Sequence, residues 1–172
     1  MKRKSCSMFG LIMALVSLAL VGTVSANIQT FSVDSGTAKI NIPYTVEFGS
    51  SSGDSLQLVK PGTTKPIISI NLFDSAYYKN LEEFAVSFVG EGHEFEKMTT
   101  DDGKPMLFNT IAEGTDRDGN PNYSYRGCID YTAEKGKYII IHAPNKVRYQ
   151  SEVIATYSED QFASICRSFT LS

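Results

Sequence analysis

The recognisable pattern begins with alternation. Ile40, Ile42, Tyr44, Val46 and Phe48 fall at every second position, so an extended segment would carry them on one face. Pro43 has no amide hydrogen for a ladder and predicts an edge or a break there. Residues 49–54 are rich in Gly and Ser and read as a turn. Residues 56–60 and 66–72 then read as a hairpin about Pro61-Gly62.

The period changes after Asn80. Leu81, Phe84, Ala85, Phe88 and Val89 stand at helical spacing, with Asn80 and Glu83 placed as a capping box and Gly90 as the stop. Strands return at 104–113 and 122–131 around the turn cluster 114–121. A further strand, 137–142, has an unbroken apolar centre that predicts cover on both faces. Residues 147–156 allow a weaker helix. The last helix starts at Ser158, with Gln161 at capping-box spacing, and carries Phe162, Ile165, Cys166 and Phe169 on one stripe. Nothing in residues 27–172 resembles a repeat or linker, so they read as one domain. The order implies an α+β fold, an antiparallel sheet with helices laid against it.

The first 26 residues follow other rules. Lys2, Arg3 and Lys4 precede an uncharged apolar run over 8–21, and Val24-Ser25-Ala26 supplies small residues for cleavage between Ala26 and Asn27. As a helix the apolar run would reach about 21 Å, against a hydrocarbon core of about 30 Å. It therefore reads as a signal peptide and not as an anchor. Cys6 precedes the apolar run and cannot be a lipoprotein acceptor. The expected product is a periplasmic or secreted protein with no membrane span. Of the 16 Lys and Arg, the three at 2–4 leave with the leader while all 19 Asp and Glu stay, taking the formal charge from −3 to −6. Such a balance argues against nucleic acid, whose phosphates need a basic face.

An exported chain holding only Cys128 and Cys166 predicts that they pair, closing a loop of 38 residues, with two separate buried thiols as the alternative. On strand 122–131, Tyr123, Tyr125, Ile129 and Tyr131 share one face and Ser124, Arg126, Cys128 and Asp130 the other. A final helix packed over the Arg126/Cys128 face would let the pair form. The tyrosine row reads as packing under a helix, or else as a ligand platform.

The order strand, helix, strands, helix, the Pro43 segment leading into 56–60, and the closing run Phe162 to Phe169 followed by Ser168-Phe-Thr-Leu171 resemble the PsbP-like superfamily, including its DcrB-like envelope members, over most of residues 38–171. The resemblance implies an α/β/α sandwich around an antiparallel sheet and an accessory role without catalysis. It carries over no functional residue.

Candidate chemistry is sparse. Gly49-Ser-Ser51-Ser-Gly53 matches G-x-S-x-G, but a nucleophile elbow needs a helix after the serine, and 55–60 reads as a strand. A small serine hydrolase using Ser51 with His93 or His142 is thus the enzymatic alternative to a flexible loop. Asp116, Asp118, Asn120 and Asn122 alternate as in a calcium loop, though the glycine is early and no glutamate closes it, so a solvated hairpin tip competes with a calcium-dependent module using Asp116 and Asp118. His93, Glu94, Glu96 and His142 lack zinc-site spacing. Glu82/Glu83 and Asp101/Asp102 read as solvated surface. Asn122-Tyr-Ser124 is a glycosylation sequon, relevant only in a eukaryotic source. The leading expectation is an exported, non-catalytic accessory or binding protein of the cell envelope, with no cofactor and a partner, small molecule or protein, that the residues do not name. They are equally silent on oligomeric state.

Overall fold

The computed structural model describes residues 27–172, apart from the Ser51 side chain; the leader and the Ala26–Asn27 cleavage site lie outside the described residues. Burial dictates the layering. Residues Tyr138, Ile139, Ile140 and Ile141 of strand β9 (Lys137–Pro144) are all buried, so this strand must be covered on both faces, as its apolar run predicts. It lies at the centre of a seven-stranded antiparallel sheet. On one side come β5 (Pro66–Asp74), β4 (Ser55–Val59) and the edge strand β3 (Glu47–Ser52). On the other come β8 (Pro121–Tyr131), β7 (Pro105–Thr115) and the edge strand β6 (Glu96–Thr99).

Helix α1 (Leu81–Val89) covers one face. Phe84 and Ala85 pack there with Leu107, Cys128, Tyr138 and Ile140. Its start is the expected cap in part. Asn80 accepts from the Glu83 amide at 2.8 Å, but the Glu83 carboxylate reaches one residue further back, to the Lys79 amide at 2.7 Å. Gly90, at φ 96°, ends the helix in a conformation that L side chains rarely adopt.

The opposite face is covered largely by strands. β1 (Asn27–Val33) and β2 (Gly36–Ile42) form a hairpin, joined by β12 (Thr170–Leu171), and their Phe31, Ala38, Ile40 and Ile42 enter the same core as Leu56, Ile70, Ile139 and Ile141. The hairpin β10 (Lys146–Tyr149) and β11 (Glu152–Thr156) adds Val147 and Ala155. Helix α3 (Glu159–Arg167), opened by a complete Ser158/Gln161 capping box, completes the layer. The short helix α2 (Thr132–Lys135) only links β8 to β9.

These contacts overturn the expected α+β sandwich. Among the described residues are twelve strands in three antiparallel sheets and three short α-helices, so the fold is predominantly β. Two misread segments, together with strands β1, β6 and β12 to which the sequence reading gave no element, account for the difference. The alternation over 40–48 belongs to two strands in different sheets, broken at Pro43, and β2 helps to cover the sheet that contains β3. The expected helix over 147–156 is the β10–β11 hairpin, whose turn residues Gln150 and Ser151 have φ of 49° and 72°. Among the described residues no helix is long and apolar enough to cross a membrane.

The cysteines follow from the same geometry. Cys128 points to the α1 face, whereas Cys166 of α3 packs on the opposite face. Both are free and buried, so the expected bridge is replaced by its alternative of two separate thiols. Alternation along β8 is the cause: the helix that carries Cys166 sits over Tyr125, Gly127 and Ile129. The tyrosine row accordingly packs under α3, with Tyr125 stacked on Phe162 at 5.7 Å between ring centres.

Gly127 allows that approach. A β-carbon there would lie 2.7 Å from Cys166 Sγ and 2.9 Å from Cys166 Cβ. Gly127→Ala is expected to destabilise the protein by about 1–3 kcal/mol, the usual cost of overpacking a filled core. Urea denaturation measures it. In the double variant with Cys166→Ala the combined loss should fall short of the two single losses added together, because the clashing sulfur is gone.

Candidate functional site

Two hairpin tips meet at one end of the large sheet. In the β7–β8 tip, the Asp116 amide donates to Asn120 O at 2.8 Å and the Gly119 amide to Asp116 O at 3.0 Å. The neighbouring β10–β11 tip turns through Gln150 and Ser151. Two consecutive positive φ values define a type I′ turn, usually made by Asn and Gly; Gln-Ser holds it under local strain.

Three contacts hold the tips together. Lys146 Nζ meets Asp116 Oδ2 at 2.6 Å, Arg148 Nη2 meets Asp118 Oδ2 at 3.1 Å, and Asn145 exchanges backbone and side-chain bonds with Tyr123 and Pro121. Between them lies a cleft of about 500 Å³. Thr115, Asp116, Arg117, Asp118 and Asn122 line it from the first hairpin, and Arg148 and Ser151 from the second. The volume falls within the range of small-molecule sites.

The two aspartates of the proposed calcium loop differ. Asp116 is saturated: besides Lys146 it accepts from the Asn120 and Asp118 amides, each at 2.9 Å, and from Asn120 Nδ2. The Lys146 ammonium and then the Asn120 amide hold its carboxyl well below the usual carboxylate range. Asp118 is 66% exposed and faces Arg148. Each acid thus has a cation beside it, which disfavours a second, divalent one. No group of three His, Cys, Asp or Glu among the described residues could hold a metal.

The other candidates are scattered. His93, Glu94 and Glu96 are exposed around the loop after α1, away from the β9 strand that carries His142. Ser51 lies on the edge strand β3 opposite Leu56 of β4, with its side chain outside those described. The following element is a strand, contrary to what an elbow requires. Its backbone and that of His142 are separated by β4 and β5, roughly 14 Å at about 4.8 Å per strand. Glu82 and Glu83 occupy the first turn of α1. Asp101 pairs with Arg167 at 3.4 Å. Asp102 does more than face solvent, since it accepts from Thr100 Oγ1 and Tyr131 Oη, both at 2.6 Å. In the sequon, Asn122 lines the cleft while Ser124 is buried within β8.

A polar row crosses the α1 face beside that helix: Asn109 opposite Arg126, and Arg126 opposite His142. Arg126 Nη1 donates to the Phe88 carbonyl in the last turn of α1, where a cation suits the helix dipole. Burial, reinforced by the Arg126 charge, lowers the His142 pKa from its ordinary value of 6.5. Asn109 Nδ2 donates to Glu94 O at 2.6 Å, and its buried Oδ1 finds no partner.

Sequence reasoning missed the second wall of the cleft, because residues 147–156 were expected to be helical. The signal was present in Lys146-Val-Arg-Tyr, whose Val147 is buried between exposed or half-buried neighbours, followed after three intervening residues by the β-branched Val153 and Ile154. No family model matches this chain, nor does any curated protein. The PsbP-like resemblance therefore rests on its pattern alone.

Two pH effects follow. The unfolded chain takes up the His142 proton before the folded one does, so stability should decline as pH falls below about 6.5. The His142→Gln variant should lack that decline in a pH series of urea melts. Asp116 acts at lower pH. Its stabilisation is complete above its unfolded value of 3.8 and is lost as the pH falls below it, so Asp116→Asn should flatten the acid limb of the same series.

Proposed function

We propose that this chain is an exported, non-catalytic accessory or binding protein of the cell envelope, periplasmic or secreted, that engages a small molecule or a segment of a protein partner through the cleft between its hairpin tips. The observation that carries the binding reading is the cleft itself. It is a concave space walled by two separate hairpins, pinned by Lys146–Asp116, and bordered by a strained turn at Gln150-Ser151. A scaffold that is rigid behind and polar in front is suited to recognition. The charged leader, the apolar run and the small residues before Asn27 support export.

A thermal-shift panel of metals and small metabolites tests the binding reading. A ligand at about 100 times its dissociation constant adds roughly 2.7 kcal/mol to the folded state, a readily measured shift. That shift should disappear in Thr115→Trp, which fills the cleft from an exposed position. Turnover abolished by replacing one polar residue, or labelling of Ser51 by a serine-reactive probe, would overturn the non-catalytic assignment. Protein isolated from its source should begin at Asn27, and recovery from the cytoplasm with Met1 still attached would remove the envelope role.

A further inference from the structure

The charges of the cleft are unequally occupied, and from this we infer the class of its ligand: a small molecule bearing an oxyanion, carboxylate or phosphate, held by Arg148 and Arg117. The inference rests on the cleft being the binding surface. Asp116 cannot be the specificity group, because Lys146, two backbone amides and Asn120 already fill its lone pairs. Its attachment is part of the wall.

Arg148 is differently placed. Its only carboxylate partner among the described ion pairs is Asp118, at 3.1 Å, with the two side chains 43% and 66% exposed. Such a solvated pair is weak and exchanges readily. Nη1 also reaches Ser151 O at 3.4 Å, so the guanidinium is steered along the cleft wall by the strained turn. Arg117, exposed on the facing hairpin, takes part in no ion pair among the described residues. Two guanidinium groups thus line one cleft together with a single exposed, displaceable acid, Asp118. Asp118 occupies the place of the ligand's own acid group, and binding exchanges one carboxylate on Arg148 for another. Asn122 and Ser151 offer neutral hydrogen bonds to the remainder of the molecule.

A cation would meet both arginines, and a neutral ligand would leave the Arg148–Asp118 pair in place. Both are therefore disfavoured relative to an oxyanion, whose fit with planar guanidinium donors is geometric as well as electrostatic.

The test is an NMR titration of the isotope-labelled full chain at low ionic strength with succinate, inorganic phosphate, succinamide as neutral analogue, and putrescine. Succinate or phosphate should move the amide resonances of residues 115–118 and 148–151, and the tighter of the two distinguishes a carboxylate ligand from a phosphate. Arg148→Gln should weaken the affinity by about tenfold, as expected for losing a charge-assisted hydrogen bond. Arg117→Gln should weaken it by roughly threefold, and Asp118→Asn should tighten it by about threefold to fivefold by removing the competing carboxylate. Arg167→Gln, the same charge change in a remote ion pair, should leave it unaltered. Anion binding that Arg148→Gln leaves intact overturns the inference, as does a cleft that neither anion perturbs. If succinamide or putrescine binds there more tightly than succinate, the ligand class is wrong while the binding surface stands; if the Thr115→Trp protein keeps every ligand-induced shift, the binding surface itself falls.

Discussion

Strand β9 cannot face water on either side, and the rest of the molecule is arranged to prevent it. Tyr138 and Ile140 project to one face and Ile139, Ile141 and Ala143 to the other, all at 5% exposure or less. Burying a side chain as large as isoleucine stabilises the fold by about 1.5–3 kcal/mol, so an uncovered face would forfeit several such contributions. Helix α1 covers one face through Phe84 and Phe88, which pack in an aromatic cluster with Phe73 of β5 and Tyr78 of the preceding segment. The other face is longer and takes a hairpin, the terminal strand β12 and α3 together.

That unequal cover shapes what is left exposed. The β10–β11 hairpin arises within the covering layer, and its tip reaches past the core to meet the tip of β7–β8. There two separately built hairpin tips face one another across a cleft. The contacts joining them are of different kinds: Lys146–Asp116 is short and only 23% and 10% exposed, while Arg148–Asp118 lies in solvent. One is enclosed in the wall of the cleft and the other remains solvated.

Side-chain alternation governs the cysteines as strictly as the core. Neighbours in β8 point to opposite faces, so Gly127 and Cys128 look towards different helices. With α3 resting on the bare backbone of Gly127, Cys166 comes close to β8 yet finds a glycine there and not a thiol. Burial then raises the pKa of both thiols, that of Cys128 to about 12, so neither is a ready nucleophile at neutral pH.

Local chemistry determined much of this protein. The caps at Asn80 and Ser158, the hairpins at 56–72 and 104–131, the break at Pro43 and the doubly covered strand at 137–142 were all legible, because each depends on neighbours within a few residues. What the tertiary structure alone decided is which layer covers which face, and hence the predominance of strands, the separation of the two cysteines and the second wall of the cleft. Residues 147–156 form a hairpin because Val147 and Ala155 are buried against a core assembled from distant strands, a stabilisation that no local period records. The alternating acids at Asp116 and Asp118 look alike in sequence. Only the positions of Lys146 and Arg148, some thirty residues further along the chain, enclose one of them in the wall and leave the other in solvent.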